Sequence, residues 1–315
     1  MHRLEYFPVT FFAVVMGLMG LALALNAAAP FSPWTEILSQ GVFWSALGIF
    51  AVIAALYGSK LAAHFAAVKA EWQHPVKLAF FPTFSISLLL TATALLELAP
   101  AVAQGLWLVG VVGQGVLTIA VVSGWISHRS FEVGHLTPAW FIPAVGNVIV
   151  PVAGVRMGYL ETSWLFFSGG MMFWGVLLTM VMNRLVFHDP IPARLFPTMV
   201  ILIAPPSVAF VSYVGLVGHV DGFARVLISL AYIFAALVLA QVPRLVRLPF
   251  ALSWWALSFP LAALAIASFL FARLEGTTFH LAAGFFVLLL LVVVVIGLGL
   301  RTILGLIRGE ILQPD

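Results

Sequence analysis

Residues 196–206 read Phe196-Pro197-Thr198-Met199-Val200-Ile201-Leu202-Ile203-Ala204-Pro205-Pro206, an uncharged apolar run that opens on an aromatic–proline pair and meets a second proline pair further on. Proline removes a helix donor and clashes with the preceding turn, so a helix through this run frees carbonyls that hydrocarbon cannot satisfy. The pattern is not isolated. Aromatic–proline starts recur as Phe7-Pro8, Phe81-Pro82 and Phe141-Ile142-Pro143, with the order reversed in Pro249-Phe250. About eight to eleven residues beyond lies a second breaker: Gly17, Pro151, Pro205-Pro206 or Pro260. Only the Phe81-Pro82 run lacks one, and it carries Thr91 and Thr93 instead.

These runs are the odd members of ten apolar stretches, at roughly 8–29, 41–65, 78–98, 101–127, 138–157, 162–186, 195–217, 223–243, 249–272 and 278–306. Stretches two, four, six and ten contain no proline, and the eighth has it only at its end, Pro243. Broken helices are tolerated at membrane depth where protein or a water-filled cavity covers them. The predicted fold is therefore an all-α integral membrane domain over residues 1–315. Its ten transmembrane helices pair as five helical hairpins of about 63 residues, with quasi-fivefold symmetry. Kinked odd helices form an inner ring around a central pore, and straight even helices face lipid. The general abundance of proline in membrane helices leaves the odd-only placement unexplained. The even helices carry small residues at packing spacing, Gly105, Gly110 and Gly113 in the fourth and Gly297, Gly299 and Gly305 in the tenth. Such faces serve packing within the chain or between subunits.

Composition points the same way. Of 315 residues, 63% are hydrophobic and 8% charged, and the mean hydropathy is +1.16. A soluble domain carries about 25% charged residues, so this surface needs lipid. With no Cys there is no disulfide, thiolate metal site, iron–sulfur cluster or cysteine nucleophile. The net charge is only +3 and the basic residues sit singly in loops, which reads as membrane topology rather than nucleic-acid binding. Eleven basic residues (Arg3, Lys60, Lys69, Lys77, Arg129, Arg184, Arg194, Arg244, Arg247, Arg301, Arg308) fall on one side of the predicted topology and three (Arg156, Arg225, Arg273) on the other. The positive-inside rule predicts a multi-pass protein with both termini cytoplasmic. The start of the chain imitates a cleavable signal peptide, ending in Ala27-Ala28-Ala29, but its apolar run is too long and Glu5 spoils the basic front; retention is expected.

Inside the stretches almost nothing ionises. Glu97 lies near the outer end of the third, and His64 and His280 near span ends. Coupled transporters keep ionisable groups at membrane depth, so a passive path fits better than a pump, with Glu97 expected at the interface. No phosphate-binding glycine loop, zinc-binding His pair or serine nucleophile elbow occurs, so neither catalytic residues, nor a metal site, nor a cofactor is expected. In Trp254-Trp255-Ala256-Leu257-Ser258-Phe259-Pro260, a ring just before a kink can project into an inner ring and close it by dewetting, or simply pack. The polar side chains available to touch an ion are Thr10, Thr91, Thr93, Asn147, Thr198 and Ser258.

Over nearly its whole length the chain resembles the tellurite-resistance/dicarboxylate transporter family, which includes bacterial TehA proteins and the plant slow anion channels. The resemblance is carried by FAVVMGLMG (Phe12–Gly20), His74-Pro75-Val76-Lys77, PAWFIPAVG (Pro138–Gly146), PTMVILIAPP (Pro197–Pro206) and WALSFP (Trp255–Pro260), in order on ten spans. It implies a central pore through the odd helices, a homotrimer with one pore per subunit, and a phenylalanine gate that falls on Phe259. It places Ala13 where TehA-like members have a glycine beside the gating ring, and Val15 where some have proline. The expected function is an anion channel passing small inorganic or organic anions across the lipid bilayer of the bacterial inner membrane, with kinks at Pro260, Pro205, Pro206, Pro151 and Gly17. The nearest alternative is a secondary transporter of oxyanions or C4-dicarboxylates such as tellurite, sulfite or malate. A membrane protein with no flux at all would have no use for the odd-helix prolines.

Overall fold

A computed structural model describes residues 2–127 and 131–313; Arg129, counted above on the basic side, lies outside the described residues. The principal helices are α1 (Val9–Ala28), α2 (Trp34–Ala63), α3 (Lys77–Leu95), α4 (Pro100–Ser127), α5 (Pro138–Gly154), α6 (Leu160–Phe187), α7 (Phe196–Val217), α8 (Gly222–Leu239), α9 (Leu252–Glu275) and α10 (Thr278–Ile307). Among the described residues there is no strand, and nine of these helices are long and apolar enough to cross a bilayer. The shorter one, α5, stops at Gly154, before the expected limit, and the chain turns at Gly158 with φ +84°. This is an all-α membrane protein.

The odd and even helices differ in kind. Each odd member starts as a 3-10 helix, over Val9–Phe11, Lys77–Phe80, Pro138–Trp140, Phe196–Ile203 and Leu252–Leu257, before continuing as α-helix. The even members are α-helical from end to end. Runs of 3-10 helix beyond three or four residues are uncommon, so Phe196–Ile203 needs a local cause. The prolines supply it, though not by kinking a continuous α-helix. Pro205 and Pro206 stand in the first turn of the α-helical part Ala204–Val217, Pro151 in the first turn of Val150–Gly154, and Pro260 in the first turn of Ser258–Glu275. A first-turn residue has no intrahelical partner for its N–H, so proline starts the α half and leaves the residues before it in the tighter form. Gly17 differs from the prolines, since it lies inside the continuous helical run Phe12–Ala28 rather than at a change of helix type.

Side chains add hydrogen bonds to backbone carbonyls at these starts. Thr198 donates to the Leu195 carbonyl at 2.7 Å, Ser258 to that of Trp255 at 2.6 Å, Asn147 Nδ2 to that of Ala144 at 2.8 Å, and Thr83 to that of Phe80. Each bond runs back three residues, across or beside a change of helix type.

Packing closes a ring. α1 touches α3, α3 touches α5, α5 touches α7, α7 touches α9 and α9 returns to α1, while each even helix packs on the odd member before it. Burial follows: in the most apolar windows of α1, α3, α7 and α9, 72–78% of positions are buried, against 28–33% in the even helices. Of the glycines on α4, Gly110 meets Leu89 and Gly113 meets Ser85, whereas Gly105 faces open space, as do Gly297 and Gly299 on α10. Between α7 and α8, Asp221 accepts from the Ala224 amide at 2.8 Å and from Tyr213 Oη at 2.6 Å, capping α8; the tyrosine hydrogen bond above all holds its carboxyl below the usual range.

Candidate functional site

A cavity of about 50 Å³ lies inside the ring, and all five odd helices contribute to its wall. Met16 comes from α1, Ile86 from α3, Phe141, Val145 and Ile149 from α5, Ile201, Ala204, Pro205 and Val208 from α7, and Phe259 from α9. Every lining side chain is apolar. The volume has room for a few water molecules, but no side chain offers them a hydrogen bond.

Phe259 is placed from two directions. Behind it, Ser258 is tied to the Trp255 carbonyl, and Trp255 Nε1 donates to Thr302 of α10 at 2.9 Å. In front, α1 comes close because it carries glycine: a Cβ on Gly17 would stand 2.2 Å from Ser258 Oγ, and one on Gly20 would stand 2.9 Å from the Ala262 Cβ and 3.5 Å from the Phe259 ring. Gly17 is thus a close-approach residue that fixes the α1–α9 crossing. Gly146 does the same for α5 on α3, since a Cβ there would meet Ile86 at 2.7 Å.

The family model described as voltage-dependent anion channel matches residues 6–303, the region that contains all ten helices of the bundle almost entire. The chain belongs to the voltage-dependent anion channel family. Among its relatives are the tellurite resistance protein TehA homolog of Haemophilus influenzae, 28% identical over 82% of this chain and 79% of its own length. The S-type anion channel SLAH3 of Arabidopsis thaliana is 26% identical over 86% of this chain, which spans only 44% of that protein. An uncharacterized transporter of Methanocaldococcus jannaschii, MJ0576, is 25% identical over 85% of this chain and 84% of its own.

In this member of the voltage-dependent anion channel family, the polar residues singled out from the sequence lie apart from the central cavity. Thr91 bonds the Ser87 carbonyl at 2.7 Å, Thr93 that of Leu89 at 2.8 Å, and Asn147, Thr198 and Ser258 bond backbone as described above. Each of these side chains thus donates to a backbone carbonyl three or four residues back. Thr10 lines a different cavity, and half-buried Ala13 is not part of the central wall. Phe141, which the sequence reading passed over, brings a second ring to the cavity.

The cavity holding Thr10 is larger, about 740 Å³, and charged. Lys60, Lys77 and Arg194 line it together with Glu5, Glu71 and Glu310, so the described ends of the chain meet at one end of the bundle. Lys60 and Glu71 form a salt bridge at 3.1 Å with side-chain exposures of 2% and 7%. Lys60 also donates to the Phe7 carbonyl at 3.0 Å, and Glu71 accepts from Tyr57 Oη at 2.9 Å and from the Val9 amide at 3.4 Å. Lys60, inside the second apolar stretch of the sequence, stands in the last turn of α2 and clamps the start of α1. The Tyr57 and Lys60 spacing along one helix face was the available signal.

Glu97 sits at the surface and pairs with Arg156 at 2.8 Å. His64 ends α2, and His280 stacks on Phe271 with ring centroids 4.0 Å apart. Among the described residues no three His, Asp or Glu side chains converge as a metal site requires.

Proposed function

We propose that this protein is an anion channel whose path runs through the ring of odd helices, with ten spans in quasi-fivefold arrangement, and that Phe259 is its gate. The observation carrying this reading is the central cavity itself, walled by all five odd helices and free of any charged or hydrogen-bonding side chain. An apolar constriction of that size excludes a hydrated ion by dewetting. Moving the Phe259 ring off the axis would widen it, and the missing charge would let a partly dehydrated anion pass without being held. The names of the relatives, S-type anion channel among them, agree. We place the charged cavity on the cytoplasmic side of the inner membrane, because most Lys and Arg residues of the chain fall on that side of the topology, and assign a homotrimer from the family resemblance.

A carrier for oxyanions is the second reading. It is favoured by the Lys60–Glu71 pair, because buried ionisable groups are the parts from which proton coupling is built. Purified protein in planar bilayers separates the two. Under a chloride or nitrate gradient the channel reading expects the current of the Phe259→Ala variant to reverse near the anion equilibrium value and not to move with a proton gradient. Saturable flux that follows the proton gradient would instead support the carrier.

A further inference from the structure

An apolar groove of about 330 Å³ opens on the outside of the bundle where the start of α9 meets α10. Along α10 its wall is Val293, Val294, Gly297, Leu298 and Arg301. At 1.5 Å per residue these cover about 12 Å of one helix face, so the groove runs along the helix that faces lipid. It is apolar through Leu298 and ends in a guanidinium. Trp254 and Leu257 of α9 form the opposite wall, and the Trp254 indole is held by its bond to the Pro249 carbonyl at 3.0 Å. Gly297 leaves the middle open, with no atom within 4 Å of where its Cβ would stand.

Arg301 is exposed. Its guanidinium has no hydrogen-bond or ion-pair partner among the described residues, unlike Arg156, Arg225 and Arg308, which pair with carboxylates. Its register is fixed by the next residue, since buried Thr302 faces inward to accept from Trp255. An unpaired cation at the end of an apolar furrow, on the basic side of a membrane protein, lacks an anion whose remaining part is hydrocarbon. We propose that this groove is a binding site for an anionic phospholipid, its phosphate on Arg301 and an acyl chain along Gly297 toward Val293. The polarity of the groove matches that of a lipid in one leaflet: charged at the membrane surface, apolar toward the middle. The bound lipid would brace the outer side of the turn that carries Phe259 on its inner side.

The test is native mass spectrometry of the full chain, released from detergent containing equal amounts of phosphatidylglycerol and phosphatidylcholine with the same acyl chains. Wild type should retain phosphatidylglycerol over phosphatidylcholine by about fivefold, the effect of one basic residue at a membrane surface. Gly297→Leu, whose Cβ has no atom within 4 Å, puts a branched side chain into the groove and should lose both adducts. Arg301→Gln should lose the phosphatidylglycerol excess while keeping the same thermal stability in detergent. Equal retention of the two lipids by wild type, or one adduct pattern in all three proteins, would overturn the site. So would a Gly297→Leu variant that keeps its lipid but changes oligomeric state, which would give the groove to a second copy. None of these readouts depends on ion flux, so the channel reading and this site stand or fall separately.

Discussion

Gly17 shows how one missing Cβ decides where a ring stands. Its replacement by alanine puts a carbon 2.2 Å from Ser258 Oγ and 2.8 Å from Ser258 Cβ, contacts that atoms do not make without something shifting. α9 would have to retreat from α1 and take Phe259 with it. Overpacking of this kind costs about 1–3 kcal/mol, so Gly17→Ala should lower the thermal midpoint of the detergent-solubilised protein. Gly169→Ala on α6, with nothing within 4 Å, is the control and should leave it unchanged or slightly raised. Equal midpoints for the two variants would remove Gly17 from the crossing. From the sequence this glycine reads as a breaker because it occupies the place that prolines hold in the other odd helices. Its actual role depends on a residue 241 positions away, Ser258, which no local pattern reveals. The same blindness affects Thr91, Asn147, Thr198 and Ser258. A polar side chain in an apolar span looks like a ligand for an ion, but a backbone carbonyl three or four residues back is an acceptor always within its reach.

At the scale of the element, the prolines were legible and their consequence only partly so. Their odd-only placement correctly separates inner from outer helices, since it reflects which helices have protein around their freed carbonyls. Proline does not say, however, whether a helix bends or changes type. Here it marks the start of an α-helix after a 3-10 stretch. Pro260→Ala should therefore act by restoring a donor that can reach the carbonyl four residues back, at Ala256. That would draw Leu252–Leu257 toward α geometry, and the rise would fall from about 2.0 to 1.5 Å per residue. Over six residues the segment shortens by about 3 Å, enough to displace Phe259 relative to the opposing wall. Single-channel conductance of Pro260→Ala should then differ from wild type at equal protein incorporation, and identical conductance would mean that the packing of Trp255 on Thr302 alone sets the segment.

Across the whole molecule, the ring, the division into buried and lipid-facing helices and the family were all readable from one chain, because each rests on composition or on a repeat in sequence. What joins distant parts was not. The Lys60–Glu71 clamp links α2 and the short helix Phe65–Gln73 to the start of α1 across the non-helical His64, and Phe141 reaches the cavity from an α5 that changes helix type three times. The resulting architecture puts a narrow apolar cavity at the centre and a wide charged one at the basic end. The central proposal is that a molecule built this way is closed by a side chain rather than by moving helices. Planar-bilayer recording of purified wild type and Phe259→Ala in chloride tests it most directly. The account predicts a nearly silent wild type and an anion current at least about tenfold larger in the variant, the effect of removing a barrier of about 1.4 kcal/mol or more. Equal currents from equal amounts of inserted protein would contradict it, and would leave Phe259 as one more packed ring.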